Sequence, residues 1–419
     1  MSVVITGMGL FSPVGRGVEQ TFTALTTGRS GLVRPPEGHP VRESLEVAGL
    51  LPPIDPRTVA SGPETKVLDR IVVLALLTAA DALADAGIEV GRDVDPGRIG
   101  VIVGGVGGMS TLEAQVVART ARGRAAVSPY LLTGILPNMP SARIAIAHGI
   151  RGYSSSVGTA CASGAQAVAD AVRLIRAGEA DVVLCGASEA PLFPTFADTF
   201  GNARALARGW DDPTEASRPF DARRNGFVLA EGAALLVLER AAHAAARGVT
   251  GYAEVAGYGL TTDAHHPTAP RPDGAGAAEC MRRALASGEV SAGDVGYVNA
   301  HGTGTRLGDV AETTALAKVF GVGGVPVSST KALTGHLLGA SGVVEAAACA
   351  LALGRGLLPP TYHLDDPDPD CPADHVRGVP RATGTDLALT NSFGFGGQNV
   401  SLLLRRTAGA GTRTSPARG

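Results

Sequence analysis

Aromatic residues and lysine are scarce in this chain of 419 residues. Aromatic side chains make up only 4% of the sequence. Lysine occurs at just three positions, Lys66, Lys318 and Lys331, while arginine supplies the rest of the 36 basic residues. Proteins that bind nucleic acid present long basic patches, often with aromatic rings on which the bases stack. The chain has neither feature, and its formal net charge is −3, so we expect no nucleic acid partner.

Paired cysteines and long apolar runs are absent as well. The five cysteines are odd in number and widely spaced, without a CxxC pair, which argues against a metal site or a disulfide framework. The N-terminus reads as a strand at once and lacks the basic and apolar segments of a signal peptide. No apolar run reaches the length of a membrane helix without a charge or a glycine. We therefore expect a cytoplasmic protein that spans no membrane.

Apolar segments that suit buried strands alternate with helical segments along the chain. Apolar residues make up 45% and charged residues 18% of the sequence, which is typical of a globular protein with a large core. The first series of predicted elements comprises strands at 3–6, 99–103 and 181–185, helices at 68–86 and 162–177, and a strand-rich stretch at 226–239. The second series comprises strands at 252–257, 295–299, 325–328, 386–391 and 399–404, with helices at 276–286, 310–319 and 342–353. This alternation predicts an α/β architecture with covered sheets.

The two series begin their central helices in a similar way. A small-residue segment at 161–164 leads into one alanine-rich helix, and a comparable segment at 335–342 leads into another. This similarity predicts a duplicated unit with halves at 1–250 and 251–407. The remaining residues, 408–419, are rich in Gly, Arg, Thr and Pro and predict a disordered tail.

Cys161 is the first candidate for a functional residue. It lies among small residues at a predicted strand-to-helix turn, where a substrate carbonyl can approach. We expect the helix N-terminus to lower its pKa and to favour the nucleophilic thiolate. The alternative is a buried structural thiol, an interpretation that suits Cys185, Cys280 and Cys349.

Two histidines and a glycine-rich segment complete the candidate set. His301 lies at the end of a predicted strand in a turn rich in Gly and Thr, and His336 follows Lys331 by five residues. The segment at 391–397 holds glycines whose N–H groups could bind an oxyanion. The alternatives are a capped-loop histidine at His301, a surface salt bridge at Lys331 and an ordinary turn at 391–397.

In combination, these segments resemble one family of enzymes. The segments that carry the resemblance are Thr159-Ala160-Cys161-Ala162-Ser163-Gly164, His301-Gly302-Thr303-Gly304-Thr305, Lys331 with His336-Leu337-Leu338-Gly339-Ala340, and Asn391-Ser392-Phe393-Gly394-Phe395-Gly396-Gly397. They are similar to those of the β-ketoacyl-acyl carrier protein synthases of the elongating, Cys-His-His type, and the resemblance extends from about residue 5 to 405. It implies a duplicated, thiolase-like α-β-α-β-α fold of five layers, usually as a dimer.

The resemblance also implies a reaction in two halves. Cys161 would take an acyl group from an acyl carrier protein, while the N–H groups of Cys161 and Phe395 hold the oxyanion. Malonyl carrier protein would then lose CO2, and His301 and His336 would stabilise the resulting enolate. The enolate would attack the acyl thioester and give a β-ketoacyl product, as in type II fatty acid or polyketide elongation. No cofactor is implied, because the substrates travel on the phosphopantetheine arm of the carrier protein.

Other residues acquire roles from the same resemblance. Lys331 and Glu345 would fix the His336 loop, and Asp309 and Glu312 would support the His301 turn. The residues implied in substrate or pantetheine binding are Thr303, Thr305, Thr268, the gate residues Phe200 and Phe395, the chain-depth residue Met109, and Leu131 and Leu132, which would line the partner subunit's pocket.

Alternatives to an active condensing enzyme stay open at this point. One is a chain-length-factor-like partner subunit of a ketosynthase heterodimer, although such subunits typically lack the nucleophile that Cys161 provides. Another is a thiolase acting on coenzyme A thioesters, although thiolases use a second cysteine where this chain offers His336. The dimer would be a homodimer, or a heterodimer with a related subunit. The bias of Arg over Lys suggests a GC-rich genome, where specialised pathways are common, and favours the polyketide side slightly.

Overall fold

The chain folds into a mixed α/β structure, described here for residues 1–408 by a computed structural model. The predicted tail at 408–419 lies outside these residues except for Ala408. The strands are β1 (Val3–Ser12), β2 (Gly15–Arg16), β3 (Leu32–Val33), β4 (Ala48–Gly49), β5 (Ile99–Gly104), β6 (Ser154–Val157), β7 (Val182–Glu189), β8 (Gly232–Arg240), β9 (Ala253–Thr262), β10 (Tyr297–Asn299), β11 (Pro326–Ser328), β12 (Leu357–Leu358), β13 (Asp374–His375), β14 (Arg381–Ala382), β15 (Leu387–Phe393) and β16 (Gln398–Arg406). The helices are α1 (Val18–Thr27), α2 (Arg70–Ala86), α3 (Met109–Arg122), α4 (Leu131–Ile135), α5 (Met139–His148), α6 (Ser163–Arg176), α7 (Pro194–Asn202), α8 (Ala241–Ala246), α9 (Ala275–Ser287), α10 (Arg306–Phe320), α11 (Lys331–Thr334) and α12 (Ser341–Arg355).

The strand order repeats itself in the two halves of the chain. In the first half β1 pairs with β8 and β8 with β7 in antiparallel fashion, and β7 with β5 and β5 with β6 in parallel. In the second half β9, β16, β15, β10 and β11 follow one another with the same orientations. The halves join where β1 runs antiparallel to β9. The predicted duplication is therefore present in the fold, while the boundary at 250/251 stays a prediction.

Helices form three layers around the two halves of the sheet. Helices α6 and α12 pack against each other and contact strands of both halves. Helix α2 covers the outer face of β1, β7 and β8, and α9 covers the outer face of β9 and β16. The order is therefore helix, sheet, helix, sheet, helix, which is the five-layered arrangement that was predicted.

The strands are apolar because helices cover both of their faces. In β7, Val183 and Cys185 belong to the central core, whereas Val182 and Leu184 belong to the outer core beneath α2. Successive side chains of a strand point to opposite faces. A strand covered on both sides therefore reads as an almost continuous apolar run, and this is the signal that the sequence contains.

The central helices are unusually apolar for the same reason. Residues Leu338–Arg355 are long and apolar enough to cross a membrane, yet 89% of them lie buried inside the fold. They form part of the central layer, where small residues permit close contact: a β-carbon at Gly164 would lie 2.4 Å from the carbonyl oxygen of Gly339. The N-terminal ends of α6 and α12 thus meet in the middle of the molecule.

Several predicted elements differ from the observed ones. The stretch at 226–239 is strand only from Gly232, and seven of the helices in the described residues were not predicted: α1, α3, α4, α5, α7, α8 and α11. Helix α3 buries a single residue, Ala118, while Leu112, Val116 and Val117 on its surface are exposed. Its apolar side chains therefore do not form the inward stripe by which an amphipathic helix is recognised.

Candidate active site

Three segments bring the predicted functional residues to the centre of the molecule. Cys161 lies in a 3₁₀ turn, Ala160–Ala162, immediately before α6. His336 precedes the corresponding 3₁₀ turn, Leu338–Ala340, before α12. His301 follows β10, a short parallel strand between β11 and β15. Each residue thus lies in a turn or at the end of a strand, at the junction of the two halves.

The three side chains share one cavity. The Sγ atom of Cys161 lies 3.1 Å from Nε2 of His336. The rings of His301 and His336 stand edge to face, with centroids 5.4 Å apart, and the ligand-type atoms of all three residues lie within 4.8 Å of one another. The cavity has a volume of about 510 Å³ and reaches the surface past Phe395. The structure therefore places one thiol and two imidazoles around a single reacting position.

The thiol of Cys161 is protonated in the resting site. The pKa of this thiol is raised to about 12, chiefly by burial and to a smaller extent by the carboxyl of Glu189. The Lys331 cation and the N–H groups of Phe395 and Cys161 lower it, but by less. The expectation of a resting thiolate is therefore wrong: loss of hydration outweighs the partial charge at the end of α6.

Both imidazoles are neutral. The pKa of His301 and that of His336 lie well below their usual value, chiefly because burial disfavours the charged ring and secondly because the Lys331 cation is near. Nδ1 of His336 lies 3.1 Å from Oγ of Ser341, which accepts the N–H of Leu337. The serine hydroxyl can thus donate a hydrogen bond to Nδ1, which then acts as acceptor and leaves Nε2 of His336 as the N–H nitrogen that faces the cavity.

A buried ion pair connects the chain segments around the two histidines. Nζ of Lys331 donates a hydrogen bond to the carbonyl oxygen of His301 at 2.6 Å and pairs with the carboxylate of Glu345 on α12. Both side chains of the pair are almost completely buried, so the alternative of a surface salt bridge at Lys331 is excluded. The pair connects the end of β10 with α12, and hence the surroundings of His301 with those of His336.

Two further carboxylates hold the turn that follows His301. Glu312 accepts the N–H groups of His301 and Gly302 at 2.8 and 2.7 Å. Asp309 accepts the N–H of Gly304 at 3.1 Å, and burial raises its pKa to about 7 despite the nearby cation of Arg224. The structure therefore places Asp309 and Glu312 where they support the His301 turn, as the resemblance implied.

The glycine-rich segment after β15 packs against the turn that holds Cys161. A β-carbon at Gly394 would lie 2.4 Å from the carbonyl oxygen of Thr159 and 3.4 Å from the backbone nitrogen of Cys161. The backbone N–H groups of Phe395 and Cys161 both act on Sγ of Cys161. Two main-chain donors thus act on this sulfur atom.

The walls of the cavity contain most of the remaining predicted residues. Those that line it together with Cys161 are Thr268, Thr303, Thr305, Phe200 and Phe395. The rings of Phe200 and Phe395 have centroids 6.2 Å apart, and hydroxyl oxygens of Thr303 and Thr305 lie 3.1 Å apart.

Three predicted binding residues do not reach this cavity. Met109, Leu131 and Leu132 are not among the residues that line it. The exposed fractions of Met109 and Leu132 are 40% and 62%. The chain-depth role of Met109, and the role of Leu131 and Leu132 in a partner subunit's pocket, therefore stay predictions.

Sequence reasoning missed two residues near the site. The ring of Phe227 stands edge to face against that of His336, with centroids 5.4 Å apart, and the sequence placed this residue only at the start of the strand-rich stretch 226–239. Glu189 is completely buried and raises the pKa of Cys161. The sequence feature that could have pointed to Glu189 is the position of a carboxylate at the end of a strand that is otherwise largely apolar.

The same three side chains could in principle bind a metal ion. One sulfur and two imidazole nitrogens within 4.8 Å are a ligand set that zinc uses. A divalent ion would face the buried cation of Lys331, which acts on both imidazoles, and would need a thiolate that the surroundings of Cys161 disfavour. The surroundings therefore suit neutral donors and a thiol better than a metal.

Comparison with known proteins gives matches over nearly the whole chain. The family described as Beta-ketoacyl synthase, N-terminal domain, matches residues 1–244, and the C-terminal domain of that family matches residues 252–365. The 3-oxoacyl-[acyl-carrier-protein] synthase 2 of Vibrio harveyi is 40% identical over 410 residues, which are 97% of this chain and 99% of that protein.

Two solved structures share the fold, and their sequences are at least 30% identical to this chain. The ishigamide ketosynthase/chain length factor has a TM-score of 0.90 and 32% identity, with 97% of this chain and 99% of that chain covered. A type II polyketide ketosynthase in complex with its acyl carrier protein, bound to a hexaketide, has a TM-score of 0.89 and 30% identity, with 97% and 99% covered. The thiolase-like fold that the sequence implied is confirmed.

Proposed function

Because this chain belongs to the β-ketoacyl synthase family, we propose that it condenses an acyl thioester with malonyl-acyl carrier protein, with loss of CO2. The observation that carries the proposal is the contact of 3.1 Å between Sγ of Cys161 and Nε2 of His336, with His301 in the same cavity. The acyl carrier protein is the proposed partner, because the names of relatives mention it. The product serves type II fatty acid or polyketide elongation.

In the first half-reaction the sulfur of Cys161 attacks the acyl thioester. The S–H bond of Cys161 breaks, a new C–S bond forms, and the departing pantetheine sulfur takes up the proton. The carbonyl oxygen becomes an oxyanion, which the N–H groups of Cys161 and Phe395 stabilise. Since the thiol has a pKa of about 12 at rest, the thiolate forms only as the thioester is attacked.

In the second half-reaction the malonyl thioester loses CO2. The electrons of the breaking C–C bond move onto the thioester carbonyl, which becomes an enolate. Neutral imidazoles of His301 and His336 donate hydrogen bonds to this oxygen. The enolate carbon attacks the acyl thioester, the bond to Cys161 breaks, and the thiolate takes a proton from water. Neutral donors suit this step, because the buried Lys331 cation already supplies positive charge to the site.

The pantetheine arm enters by the cavity that the Phe395 ring borders. Thr303, Thr305 and Thr268 present hydroxyl groups along this path, and Phe200 and Phe395 act as its gate. The reaction uses no cofactor of its own, because the carrier protein brings both substrates. We place it in the cytoplasm, since the five cysteines are all free and suit a reducing compartment.

The two alternatives lack support from the site. A chain-length-factor-like subunit has no need of a thiol in contact with a neutral imidazole, and a thiolase would place a second cysteine near Cys161. The other cysteines lie elsewhere in the core: Cys185 in β7, Cys280 in α9, Cys349 in α12 and Cys371 before β13.

The test is to incubate the purified protein with a panel of acyl carrier thioesters and to locate the acyl group by peptide mass spectrometry. We expect an adduct on Cys161, its loss in Cys161→Ala, and its retention in the matched control Cys185→Ala, which removes a buried thiol from the core. An adduct on another residue would refute the proposal.

A further inference from the structure

The turn before α12 repeats the turn that carries the nucleophile. Each is a single 3₁₀ turn, Ala160–Ala162 or Leu338–Ala340, that leads directly into a central helix. The first residue of each has φ of 48°, a left-handed conformation that is uncommon outside glycine. The second residue is Cys161 in one turn and Gly339 in the other. The duplication thus places the N–H of Gly339 where the first half has the N–H of Cys161.

A serine fixes both turns in the same manner. Oγ of Ser163 accepts the N–H of Thr159 at 2.9 Å, and Oγ of Ser341 accepts the N–H of Leu337 at 2.8 Å. Oγ of Ser341 also contacts Nδ1 of His336. The second turn therefore lies between His336 and the serine that orients its ring, so a displacement of the turn would move the imidazole.

Glu189, which lies in the sheet, forms a hydrogen bond with the second turn, Leu338–Ala340. It is the last residue of β7 and is completely buried, and its Oε1 accepts the N–H of Gly339 at 3.2 Å. A β-carbon at Gly339 would lie 2.9 Å from this oxygen, so a side chain at this position would displace the carboxyl group. In the first half the corresponding N–H belongs to Cys161 and is proposed to hold the substrate oxyanion. A carboxyl group of the protein itself therefore occupies the equivalent place in the second half.

The surroundings of Glu189 suit an uncharged carboxyl. Its Oε2 has no hydrogen-bond partner within residues 1–408. Burial raises its pKa to about 8, although the N–H groups of Gly339 and Val106 lower it. A buried charge without a partner costs far more free energy than a buried hydroxyl without one. At neutral pH the group is therefore mainly the neutral acid.

Cys161 is the titratable group on which the Glu189 carboxyl acts, and a β-carbon at Gly339 would lie 2.9 Å from Oε1 of Glu189 and 3.3 Å from the carbonyl oxygen of Ala160, next to Cys161. The segments that pack against the end of β7, residues 104–108 and 338–340, carry no titratable side chain. The strand partner of Glu189 is Gly232 in β8.

Nearby charges of the other elements have their own partners. Glu231, which precedes β8, is paired with Arg70 of α2. Lys331, which also acts on Cys161, is paired with Glu345 of α12. An ionised Glu189 would therefore act on Cys161 without a counter-charge of its own.

We infer that Glu189 is a positioning residue that holds the His336 turn against the nucleophile turn, and that it does so in its protonated form. Ionisation of Glu189 places a negative charge beside the sulfur and opposes thiolate formation. The side chain thereby limits the reactivity of Cys161 at alkaline pH. This inference rests on the proposed function, in which Cys161 is the acyl carrier of the enzyme.

The test compares the alkylation of Cys161 by iodoacetamide in the wild-type protein and in Glu189→Gln over a range of pH. Glutamine keeps the acceptor for Gly339 but never ionises. We expect equal rates at neutral pH and, above the pKa of Glu189, a rate about threefold or more higher in the variant, because no charge opposes the thiolate. A merely structural role would leave the shape of the pH profile unchanged.

Glu239→Gln is the matched control, because Glu239 is a fully buried glutamate at the opposite end of the β7–β8 pair. We expect it to leave the alkylation profile of Cys161 unchanged. If Glu189→Gln fails to fold, Glu189→Leu removes the same charge in a similar volume. Because it also removes the acceptor for the N–H of Gly339, its rate of alkylation at alkaline pH is compared with its own rate at neutral pH.

Superimposable profiles in wild type and a folded Glu189 variant would overturn the inference. Acylation of wild-type Cys161 by an acyl carrier thioester, measured in parallel, reports on the proposed function separately. If acylation succeeds and the profiles coincide, only the part assigned to Glu189 is wrong.

Discussion

The chemistry of the site depends on two imidazoles that stay neutral beside a thiol. Burial and the Lys331 cation hold the pKa of His301 and His336 well below the usual value. A charged imidazolium would be a stronger donor, but it would leave an uncompensated charge next to Lys331 in a buried cavity. Neutral N–H groups provide preorganised donors without that cost.

Removal of either imidazole should therefore affect the two half-reactions unequally. In His301→Ala and in His336→Ala we expect malonyl decarboxylation to fall by about 10²-fold or more, because one donor to the enolate is lost. Acylation of Cys161 should fall less, because main-chain N–H groups stabilise its oxyanion. Single-turnover assays of each half-reaction measure both effects.

His265→Ala, which removes an exposed imidazole, is the control and should leave both half-reactions unchanged. Intact decarboxylation in both His301→Ala and His336→Ala would show that the imidazoles do not stabilise the enolate.

The elements around the site are held by buried charges. Lys331 at the start of α11 joins the carbonyl of His301 to Glu345 of α12, so one side chain connects three segments. Such a pair contributes little compared with an apolar replacement, but removal of a single partner leaves a buried charge alone.

Lys331→Met should lower the free energy of unfolding by about 3–5 kcal/mol, because it leaves the Glu345 carboxylate unpaired. The double variant Lys331→Met with Glu345→Gln should recover a large part of this loss. Urea denaturation of the three proteins measures the difference. Equal stability of Lys331→Met and wild type would mean that the pair does not hold these elements.

At the scale of the whole molecule, one surface is notably apolar. The exposed apolar side chains between residues 109 and 153 include Leu112, Val116, Val117, Leu132 and Ile146. These residues lie on α3, α4 and α5, and α5 packs against β6, the last strand in the order of the described sheet. A large exposed apolar surface is typical of an interface, and Met109 and Leu132, two of the predicted binding residues that lie away from the cavity, are exposed in it.

Leu132→Asp should therefore weaken the proposed dimer, because it places a charge in the apolar surface. We expect a shift toward monomer in analytical ultracentrifugation. Val379→Asp alters a residue that is 72% exposed outside this surface, and should leave the oligomeric state unchanged. A dimer as stable in Leu132→Asp as in wild type would place the interface elsewhere.

The sequence predicted the features that depend on local pattern. The doubly covered strands, the central helices and the turns at Cys161, His301 and His336 all have strong signals in residue type and spacing. It did not predict helix α3, whose apolar residues face outward, or Glu189, whose significance comes from burial beside a turn 150 residues away. It also gave the wrong charge state for Cys161, because desolvation depends on tertiary packing.

The most direct test of the neutral imidazole pair is the pH dependence of malonyl decarboxylation by Cys161→Ala, which isolates the second half-reaction. A group with a lowered pKa stays neutral as the pH falls through its usual value. We therefore expect the rate to remain flat through about pH 6.5, where an ordinary histidine becomes charged, and to decline only at distinctly lower pH. A decline with its midpoint at the usual histidine pKa would contradict the account.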